Sequence, residues 1–379
     1  MKTNWQTKKL GEICDILDNQ RKPVTQRDRI SGKYPYYGAT GIQDYVSDYI
    51  FDEKLILVGE DGAKWGAGEN TSFIATGKYW VNNHAHVIRP HRNKVLDNWI
   101  IYFLNVNDLS KYVTGLTVQK LNQGKLREIK IPLPPLPEQH RIVKILDEVF
   151  EKIEKAKENT EKNLQNSCDL FESYLQSVLE NKREVWEEET LKELTTILGD
   201  GLHGTPKYTI NGDYYFINGN NLTNGVIEFK ENTKRVSIDE YNKYKKNLSG
   251  RSVLVSINGT LGNVAFYNGE KIILGKSACY FNLKEGIDKN FIKYVITSPL
   301  FLKYAHKEAT GATIKNVSLK TMREFKIPLP SLETQHIIVQ QLDELSEKTK
   351  NLEAIYKQKL ADLEELKKSI LGKAFAGEL

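Results

Sequence analysis

Side chains that can hydrogen-bond to the edges of nucleic-acid bases recur in short loops along this chain. Lysine donates to guanine, and asparagine and glutamine pair with adenine, so loops rich in these residues are typical of base recognition. Asparagine also populates turns for backbone reasons alone, which is the alternative interpretation for any single residue. Because such residues occupy matching places in two halves of the chain, we predict recognition for the set. The predicted DNA-binding residues are Lys33, Tyr36, Lys64, Asn82, Asn83, His84, Gln119, Lys120 and Asn122 in the first half, and His203, Thr205, Lys207, Asn218, Asn220, Asn221, Asn258, Thr260, Lys276, Ser277, Lys315 and Asn316 in the second.

The sequence contains only partial matches to known catalytic, nucleotide-binding and metal-binding motifs. Residues 269–277 resemble a phosphate loop but have five residues between the glycines instead of four, and a strand is expected there. The Asp-Pro-Pro-Tyr or Asn-Pro-Pro-Tyr tetrapeptide that grips a flipped base is absent from the sequence. His84 and His86 are expected on one strand face, but no third ligand stands at a typical metal spacing. We therefore predict no catalytic residue, no cofactor site and no metal site in this chain.

Charge is distributed unevenly along the 379 residues. Residues 1–137 carry 19 basic and 14 acidic side chains, and residues 185–333 carry 20 and 16. The segments 138–184 and 334–379 have 8 basic against 11 acidic and 7 against 8. Basic globular parts joined by acidic-leaning segments suit a polyanionic partner, although ordinary surface charge is the alternative at this magnitude. Three distant cysteines and the lack of a long apolar run favour a soluble protein of the reducing cytosol.

An internal duplication organises the chain. Residues 131–134 and 327–330 both read Ile-Pro-Leu-Pro, and 12 of the 18 residues from each isoleucine are identical. The conserved pairs Gln139-His140 and Gln335-His336 follow each proline box, where they suggest structural capping or packing. Two copies of a globular part followed by a helix are therefore expected, and the second copy is longer by an interior insertion.

The globular parts have the pattern of mixed α/β structure. Short runs rich in β-branched and aromatic residues, bounded by Gly, Asn or Asp, predict strands at 55–58, 79–81, 86–88, 253–256 and 278–281. Residues 99–104 and 291–296 have helical character.

The segments after the proline boxes predict long helices with an apolar seam. Apolar residues recur in alternating steps of four and three, which is a heptad pattern that requires a partner helix. One seam in each half favours pairing of the two helices with each other, in antiparallel orientation. The predicted seam residues are Ile142, Leu146, Val149, Ile153, Ile338, Leu342, Leu345, Leu352, Leu363, Leu366 and Ile370.

Together these motifs resemble the specificity subunit of type I restriction–modification enzymes. The resemblance rests on the two proline boxes with their helices, on residues 34–41 (Tyr-Pro-Tyr-Tyr-Gly-Ala-Thr-Gly), on residues 199–206 (Gly-Asp-Gly-Leu-His-Gly-Thr-Pro) and on the ending Ala-Phe-Ala-Gly-Glu-Leu. It covers essentially the whole chain. The fold class it implies is α/β, with two mixed α/β target-recognition domains joined by two long helices that form an antiparallel coiled coil, and an internal pseudo-twofold repeat. The expected domains are residues 1–136 and 184–332 for target recognition, and residues 137–183 and 333–379 for the helices.

The resemblance also implies a function and partners. Such a subunit is non-catalytic and reads a bipartite target in double-stranded DNA, and its helices set the gap and bind two methyltransferase subunits. Those partners would carry S-adenosylmethionine, and restriction subunits would use ATP and Mg²⁺. Alternatives are a specificity subunit of a fused restriction–methylation enzyme, a self-contained enzyme acting on DNA, and a coiled-coil scaffold.

Overall fold

The first half of the chain forms mixed α/β structure that ends in a very long helix. The computed structural model describes residues 5–115, 117–180, 186–311 and 313–379. In the first half the helices are α1 Leu10–Ile13, α2 Asp97–Val106, α3 Gln123–Arg127 and α4 Leu136–Leu179. The strands are β1 Gln6–Lys9, β2 Cys14–Ile16, β3 Ser31–Gly38, β4 Gly41–Val46, β5 Phe51–Asp52, β6 Leu55–Gly59, β7 Ser72–Ala75, β8 Lys78–Val81, β9 Ala85–Pro90 and β10 Lys130–Leu133.

The second half repeats this order with an insertion. Its helices are α5 Ile238–Tyr244, α6 Lys289–Thr297, α7 Pro299–Glu308, α8 Leu319–Glu324 and α9 Leu332–Ala376. Its strands are β11 Glu187–Thr190, β12 Thr195–Asp200, β13 Tyr208–Thr209, β14 Tyr214–Ile217, β15 Leu222–Thr223, β16 Val226–Ile227, β17 Arg235–Val236, β18 Ser252–Ser256, β19 Val264–Phe266, β20 Ile272–Leu274, β21 Ala278–Leu283 and β22 Lys326–Leu329. The insertion is the segment between β14 and β18, which holds β15, β16, β17 and α5 and is longer than its counterpart between β3 and β6.

Corresponding sheets carry the two halves. The first half has one antiparallel sheet, β2-β9-β6-β7, and a second sheet, β4-β3-β8-β5, in which β3 and β8 are parallel. The second half has β12-β21-β18-β19 in the same antiparallel order and a sheet in which β14 and β20 are parallel. The central strands β6 and β18 are buried along their whole length, which explains their nearly uniform apolar composition.

A two-stranded antiparallel clamp closes each half. Strand β1 pairs with β10, so that Gln6 lies opposite Leu133 of the first proline box. Strand β11 pairs with β22 in the same register, and Glu187 lies opposite Leu329. Each of these sheets has only two strands, so the prolines lie on an edge strand. The N–H groups that they lack are therefore not needed for pairing with a third strand. The chain therefore enters and leaves each half at adjacent strands.

A buried glutamine joins each proline box to the helix that follows it. The Gln139 side chain is fully buried, its Oε1 accepts from the Leu96 N–H at 3.0 Å, and its Nε2 donates to the carbonyls of Pro134 at 2.8 Å and Lys94 at 2.9 Å. The neighbouring His140 is exposed. The expected packing role in the first half therefore belongs to the glutamine.

The second half repeats this arrangement. Gln335 Oε1 accepts from the Asp288 N–H at 2.8 Å, and Nε2 donates to the carbonyls of Pro330 at 2.9 Å and Gly286 at 3.4 Å. His336 is exposed, with Nε2 lying 3.5 Å from Asp288 Oδ2.

The long helices contribute segments to two units: Met1–Glu161 with Lys357–Leu379, and Lys162–Tyr356. Within the first unit the two helical segments run antiparallel, because Lys157 Nζ lies 2.8 Å from Glu364 and Lys367 Nζ lies 3.2 Å from Glu154. The end of α9 packs on α2, where the Phe375 ring lies 4.7 Å from that of Trp99.

The second unit has its own antiparallel pair of segments. The Tyr174 hydroxyl donates to Gln341 Oε1 at 3.0 Å, and Leu175 and Leu179 of α4 join Ile338 and Leu342 of α9 in one apolar core. In each unit, therefore, the two helices meet in the antiparallel orientation that the sequence predicts.

The seam departs from a strict heptad pattern. Among the positions shielded from solvent, one continuous seam runs through 142, 146, 149, 153, 156, 160, 164, 167, 171, 174 and 178 in α4, and through 338, 342, 345, 349, 353, 356, 360, 363, 367, 370 and 374 in α9. Each series contains one step of four where three is expected. Each makes ten steps over 36 residues, so the mean period is the 3.6 of a straight helix instead of 3.5.

This change of phase corrects two predicted seam residues. Leu352 and Leu366 are 37% and 46% exposed, because the series passes through 353 and 367 instead. Buried threonines begin the extra steps, and each is satisfied within its own helix: Thr160 Oγ1 donates to the Ala156 carbonyl at 2.7 Å, and Thr349 Oγ1 donates to the Leu345 carbonyl at 3.0 Å. The other predicted seam residues are buried or half-buried.

Among the residues that the structure describes, no helix is both long enough and apolar enough to cross a membrane.

Replacing the buried glutamine should destabilise the half that contains it. In Gln139→Ala the Leu96 N–H and two carbonyls lose their partner, so we expect the free energy of unfolding of the first half to fall by about 1–3 kcal/mol. The measurement is denaturant unfolding followed by the fluorescence of Trp65 and Trp99, which are both buried in that half. The matched control, His140→Ala, should stay within roughly 0.5 kcal/mol. Equal effects of the two substitutions would contradict the role of the glutamine.

Candidate nucleic-acid interface

In the first half, separate loops converge beyond the ends of β6 and β9 on Asp61. The imidazole Nδ1 of His84 contacts Asp61 Oδ1, and Lys120 Nζ lies 3.6 Å from Asp61 Oδ2 and 2.9 Å from Glu60 Oε1. Lys64 and Gln119 line one open cleft of about 330 Å³. The structure thus brings four of the predicted residues into one surface region.

A buried ionic network supports these loops from below. Arg21 Nη1 donates to Glu60 Oε2 at 2.5 Å and to the Ala85 carbonyl at 2.8 Å. His86 Nδ1 lies 2.6 Å from Asp18 Oδ2, and its Nε2 lies 2.6 Å from the Leu121 carbonyl. Both ring nitrogens of His86 therefore face oxygen atoms.

The charges of this network shift two ionisation equilibria. Burial alone would raise the pKa of the Asp18 carboxyl, but the hydrogen bond and charge of His86, the Val87 N–H and Arg21 hold that pKa below its ordinary value. The hydrogen bond to Glu60 raises the pKa of the Lys120 ammonium, which therefore stays charged.

Within the part of the chain that the structure describes, the same network contains a group of side chains that could bind a metal ion. Asp18, Glu60 and His86 offer ligand atoms within 4.8 Å of one another. The Glu60 carboxylate already contacts two positively charged side chains, Arg21 and Lys120. A metal ion bound there would be repelled by both charges. Ion pairing is the interpretation that this geometry favours.

The second half places neutral groups at the matching position. Asn258 Nδ2 donates to Asn316 Oδ1 at 3.0 Å, in the place that Asp61 and Lys120 hold in the first half. Ser277 Oγ donates to Asn218 Oδ1 at 3.1 Å and accepts from the Gly219 N–H at 2.9 Å. The candidate surfaces thus share a scaffold but differ in charge.

Backbone hydrogen bonds of matching geometry close a hairpin beside each surface, and residues 116 and 312 within these hairpins lie outside the described residues. Thr114 and Lys120 exchange two backbone hydrogen bonds of 2.9 and 2.8 Å, as Thr310 and Asn316 do at 3.0 and 2.9 Å. The next residue of each hairpin segment bonds to the loop after the central strand: Leu121 N–H to the Glu60 carbonyl, and Val317 N–H to the Ile257 carbonyl, both at 2.8 Å. The hairpins and the central-strand loops are therefore fixed to each other.

Three predicted base-contacting residues lie in the interior, and these predictions are corrected. Tyr36 is 1% exposed, and its hydroxyl bonds to the backbone of Val24. Asn82 is 3% exposed and bonds to Gln43 and to the His84 N–H.

The third, Asn221, is 5% exposed and donates to the Glu228 carbonyl. In all three, the polar groups complete loops instead of facing solvent, which is the turn-forming role that the sequence left open.

Two further predictions are modified by position. His84 lies in the turn before β9 and does not share a strand face with His86. Lys33 is exposed but lies near the start of β3, roughly 17 Å along the strand from Gly38, whose end of the strand faces the site. Asn122 is the N-cap of α3, because its Oδ1 accepts from the Lys125 N–H at 3.0 Å.

The remaining predicted residues stay accessible to a ligand. The exposed ones are Lys64, Asn83, His84, Gln119, His203, Thr205, Lys207, Asn220, Thr260, Lys276 and Lys315, and the partly exposed ones are Lys120, Asn122, Asn218, Asn258, Ser277 and Asn316. Sequence reasoning missed Asp18, Arg21 and Glu60, since no local motif links residues that meet from such distant positions.

Acid should weaken the first half through Asp18. A carboxyl whose pKa is lowered on folding contributes stability above its unfolded pKa, and this contribution is lost as pH falls through the folded pKa. The loss of stability in Asp18→Asn should therefore be largest near neutral pH and should shrink as the pH falls below about 4, the ordinary pKa of an aspartate. Tryptophan-detected unfolding of the first half measures it, and Asp213→Asn, an exposed change in the other half, is the control. A difference from the unaltered chain that stays constant with pH would refute the assignment.

Comparison with known proteins identifies the family. A family model described as the type I restriction modification DNA specificity domain matches residues 2–163 and again residues 183–364. A Haemophilus influenzae protein assigned as a type I restriction enzyme specificity subunit is 29% identical over 361 residues, which cover 91% of this chain and 88% of the relative. The MjaVIII specificity subunit of Methanocaldococcus jannaschii is 24% identical over 402 residues, covering 99% and 93%.

Solved structures share the fold. A chain from a structure that describes complex assembly and conformational transition of the type I restriction–modification system matches with a TM-score of 0.76 at 17% identity, over 100% of both chains. The HsdS subunit from Thermoanaerobacter tengcongensis matches with a TM-score of 0.64 at 18% identity, covering 100% of this chain and 98% of that one. With two mixed α/β domains, a pair of long antiparallel helix segments in each unit and two matches of the family model, this chain belongs to the type I restriction–modification DNA specificity family.

Proposed function

We propose that this chain is the specificity subunit that reads a bipartite DNA target for a type I restriction–modification system. The observation that carries the proposal is the pair of loop clusters at matching ends of β6 and β18. They share backbone geometry but present different chemistry: His84, Asp61 and Lys120 on one, Asn258 and Asn316 on the other. One scaffold with two different polar surfaces suits two different half-sites.

Side chains in these clusters have suitable chemistry for duplex DNA. Lys64 and Lys276 can donate to guanine or to phosphate, and the amide of Asn220 can pair with adenine. Asp61 and Glu60 limit the positive charge of the first cluster and give it a carboxylate, the acceptor that suits the amino group of cytosine. We assign half-site reading to residues 1–136 and 184–332.

Catalysis is assigned to partner subunits. The long helices, residues 137–183 and 333–379, are proposed to dock two methyltransferase subunits that carry S-adenosylmethionine. Restriction subunits using ATP and Mg²⁺ would complete the enzyme in the cytoplasm. The proposal draws on the family assignment and on the lack of a catalytic signature in the sequence.

Exchanging one domain should change one half-site. Replacing residues 1–130 by the first domain of another family member should alter one half of the methylated sequence, because each surface lies within its own half. Methylome sequencing of a host carrying the chimera with the methyltransferase gives the result. A reciprocal exchange of residues 186–326 is the control and should alter only the other half. Simultaneous change of both half-sites would contradict two independent readers.

Lengthening both helices should lengthen the spacer between the half-sites. Three residues added after Thr160 and three after Thr349 convert each extra step of four into a full heptad, so the seam stays continuous. Each insertion adds about 4.5 Å of helix. At about 3.4 Å per base pair we expect a spacer longer by roughly one base pair.

A single insertion in α4 alone is the control for this experiment. It shifts one seam against the other, so assembly and methylation should be lost. A doubly extended variant that methylates DNA with the original spacer would show that the helices dock partners without setting the distance.

A further inference from the structure

The two hairpins at residues 114–120 and 310–316 are more alike than the surfaces they border. Both begin with Thr-Gly, have Thr at their fourth position, and continue with a β-branched residue, Val118 or Ile314. Gly115 and Gly311 have φ values of +101° and +96°, and a Cβ added there would lie 2.1 and 2.2 Å from the Val118 and Ile314 carbonyl oxygens. Only glycine fits at these two positions, so both halves carry the same backbone requirement there.

The tip of each hairpin exposes an apolar side chain. Val118 is 67% exposed and Ile314 is 59% exposed. Both are immediately followed by a long polar side chain, Gln119 in one hairpin and Lys315 in the other. An apolar side chain flanked by cations and amides is the composition that enters DNA grooves.

The hairpins lie in segments that contain no acidic residue. Residues 109–127 carry four basic and no acidic side chains, and residues 309–323 carry three and none. The whole chain carries 54 basic and 49 acidic side chains, so these segments are unusually cationic. Their charge is complementary to a phosphate backbone.

An element that is the same in both readers cannot distinguish two different half-sites. We propose that these hairpins are paired, sequence-independent DNA anchors. Each places its apolar tip in a groove and its polar neighbour on the phosphates beside one half-site, while the closing residue, Lys120 or Asn316, and the adjacent loops read bases. This inference rests on the proposed function and deepens it, because it separates the residues that supply affinity from those that supply specificity.

The anchoring is mechanical as well as electrostatic. Leu121 and Val317 tie the hairpins to the central-strand loops through the 2.8 Å backbone bonds already described. A hairpin seated on DNA therefore fixes the distance of Asp61 or Asn258 from the base edges. A methyltransferase surface, which would also be the same at both ends, is the competing occupant.

The first test removes the apolar tips. Val118→Ser, Ile314→Ser and the double variant are compared in the assembled complex with methyltransferase, using a duplex that carries the target found by methylome sequencing and a scrambled duplex. Each single change should weaken binding to both duplexes by the same factor, roughly tenfold, and leave the methylated sequence unchanged. Ile30→Ser is the matched control: it is a 73% exposed β-branched residue just before β3, at the end opposite Gly38, and should leave binding unaltered.

The second test exchanges the polar neighbours reciprocally. Lys315→Gln gives the second hairpin the residue of the first, and Gln119→Lys does the opposite. The slope of log affinity against log salt should become shallower by about one in Lys315→Gln and steeper by about one in Gln119→Lys. These exposed changes leave the glycine turns intact.

Three outcomes would overturn the anchor. A changed base preference at one half-site would make the hairpin a reader. Loss of methyltransferase from the complex, with unchanged DNA affinity of what remains, would assign the tip to the protein partner. Unchanged binding and unchanged salt slopes would leave the hairpin structural. Failure of the unaltered complex to prefer the target duplex at all would instead refute the proposed function.

Discussion

In each half, the side-chain amide of one buried glutamine connects the proline box to the α/β domain and to the start of the long helix. The proline box cannot donate backbone hydrogen bonds at its prolines, and its last carbonyl lies where water cannot reach it. Gln139 and Gln335 supply the missing donor and at the same time accept the backbone N–H that begins α2 or precedes α6. The start of each long helix is therefore fixed relative to its own α/β domain.

On this common frame the two halves diverge in the chemistry beneath their surface loops. The first half supports its loops with buried charges, in which Asp18, Arg21, Glu60 and His86 satisfy one another. The second half has Ile257 where the first has Glu60, and a buried thiol, Cys279, whose pKa burial raises. Removing one partner from a buried charge network of this kind leaves another charge unpaired, which is costly in a low-dielectric interior.

Sequence reasoning succeeded where a pattern is long or repeated. The duplication, the central strands and the two helices follow from apolar periodicity and from the identical boxes, because these signals are averaged over many residues. It failed where a single contact decides. The burial of Tyr36, Asn82 and Asn221 depends on loops that close over them, and the phase of the seam changes at Thr160 and Thr349, where polar residues hide the extra step. The meeting of Asp18, Arg21 and Glu60 arises only from the packing of separate strands.

The strand clamps at the base of each half have an evolutionary consequence. Because β1 lies beside β10, and β11 beside β22, each domain starts and finishes at points about 5 Å apart. Such a domain can be replaced by a variant of another length without displacing the helix to which it is attached. New combinations of half-sites can therefore arise by exchange of whole domains, because each domain joins its helix through the same pair of strands.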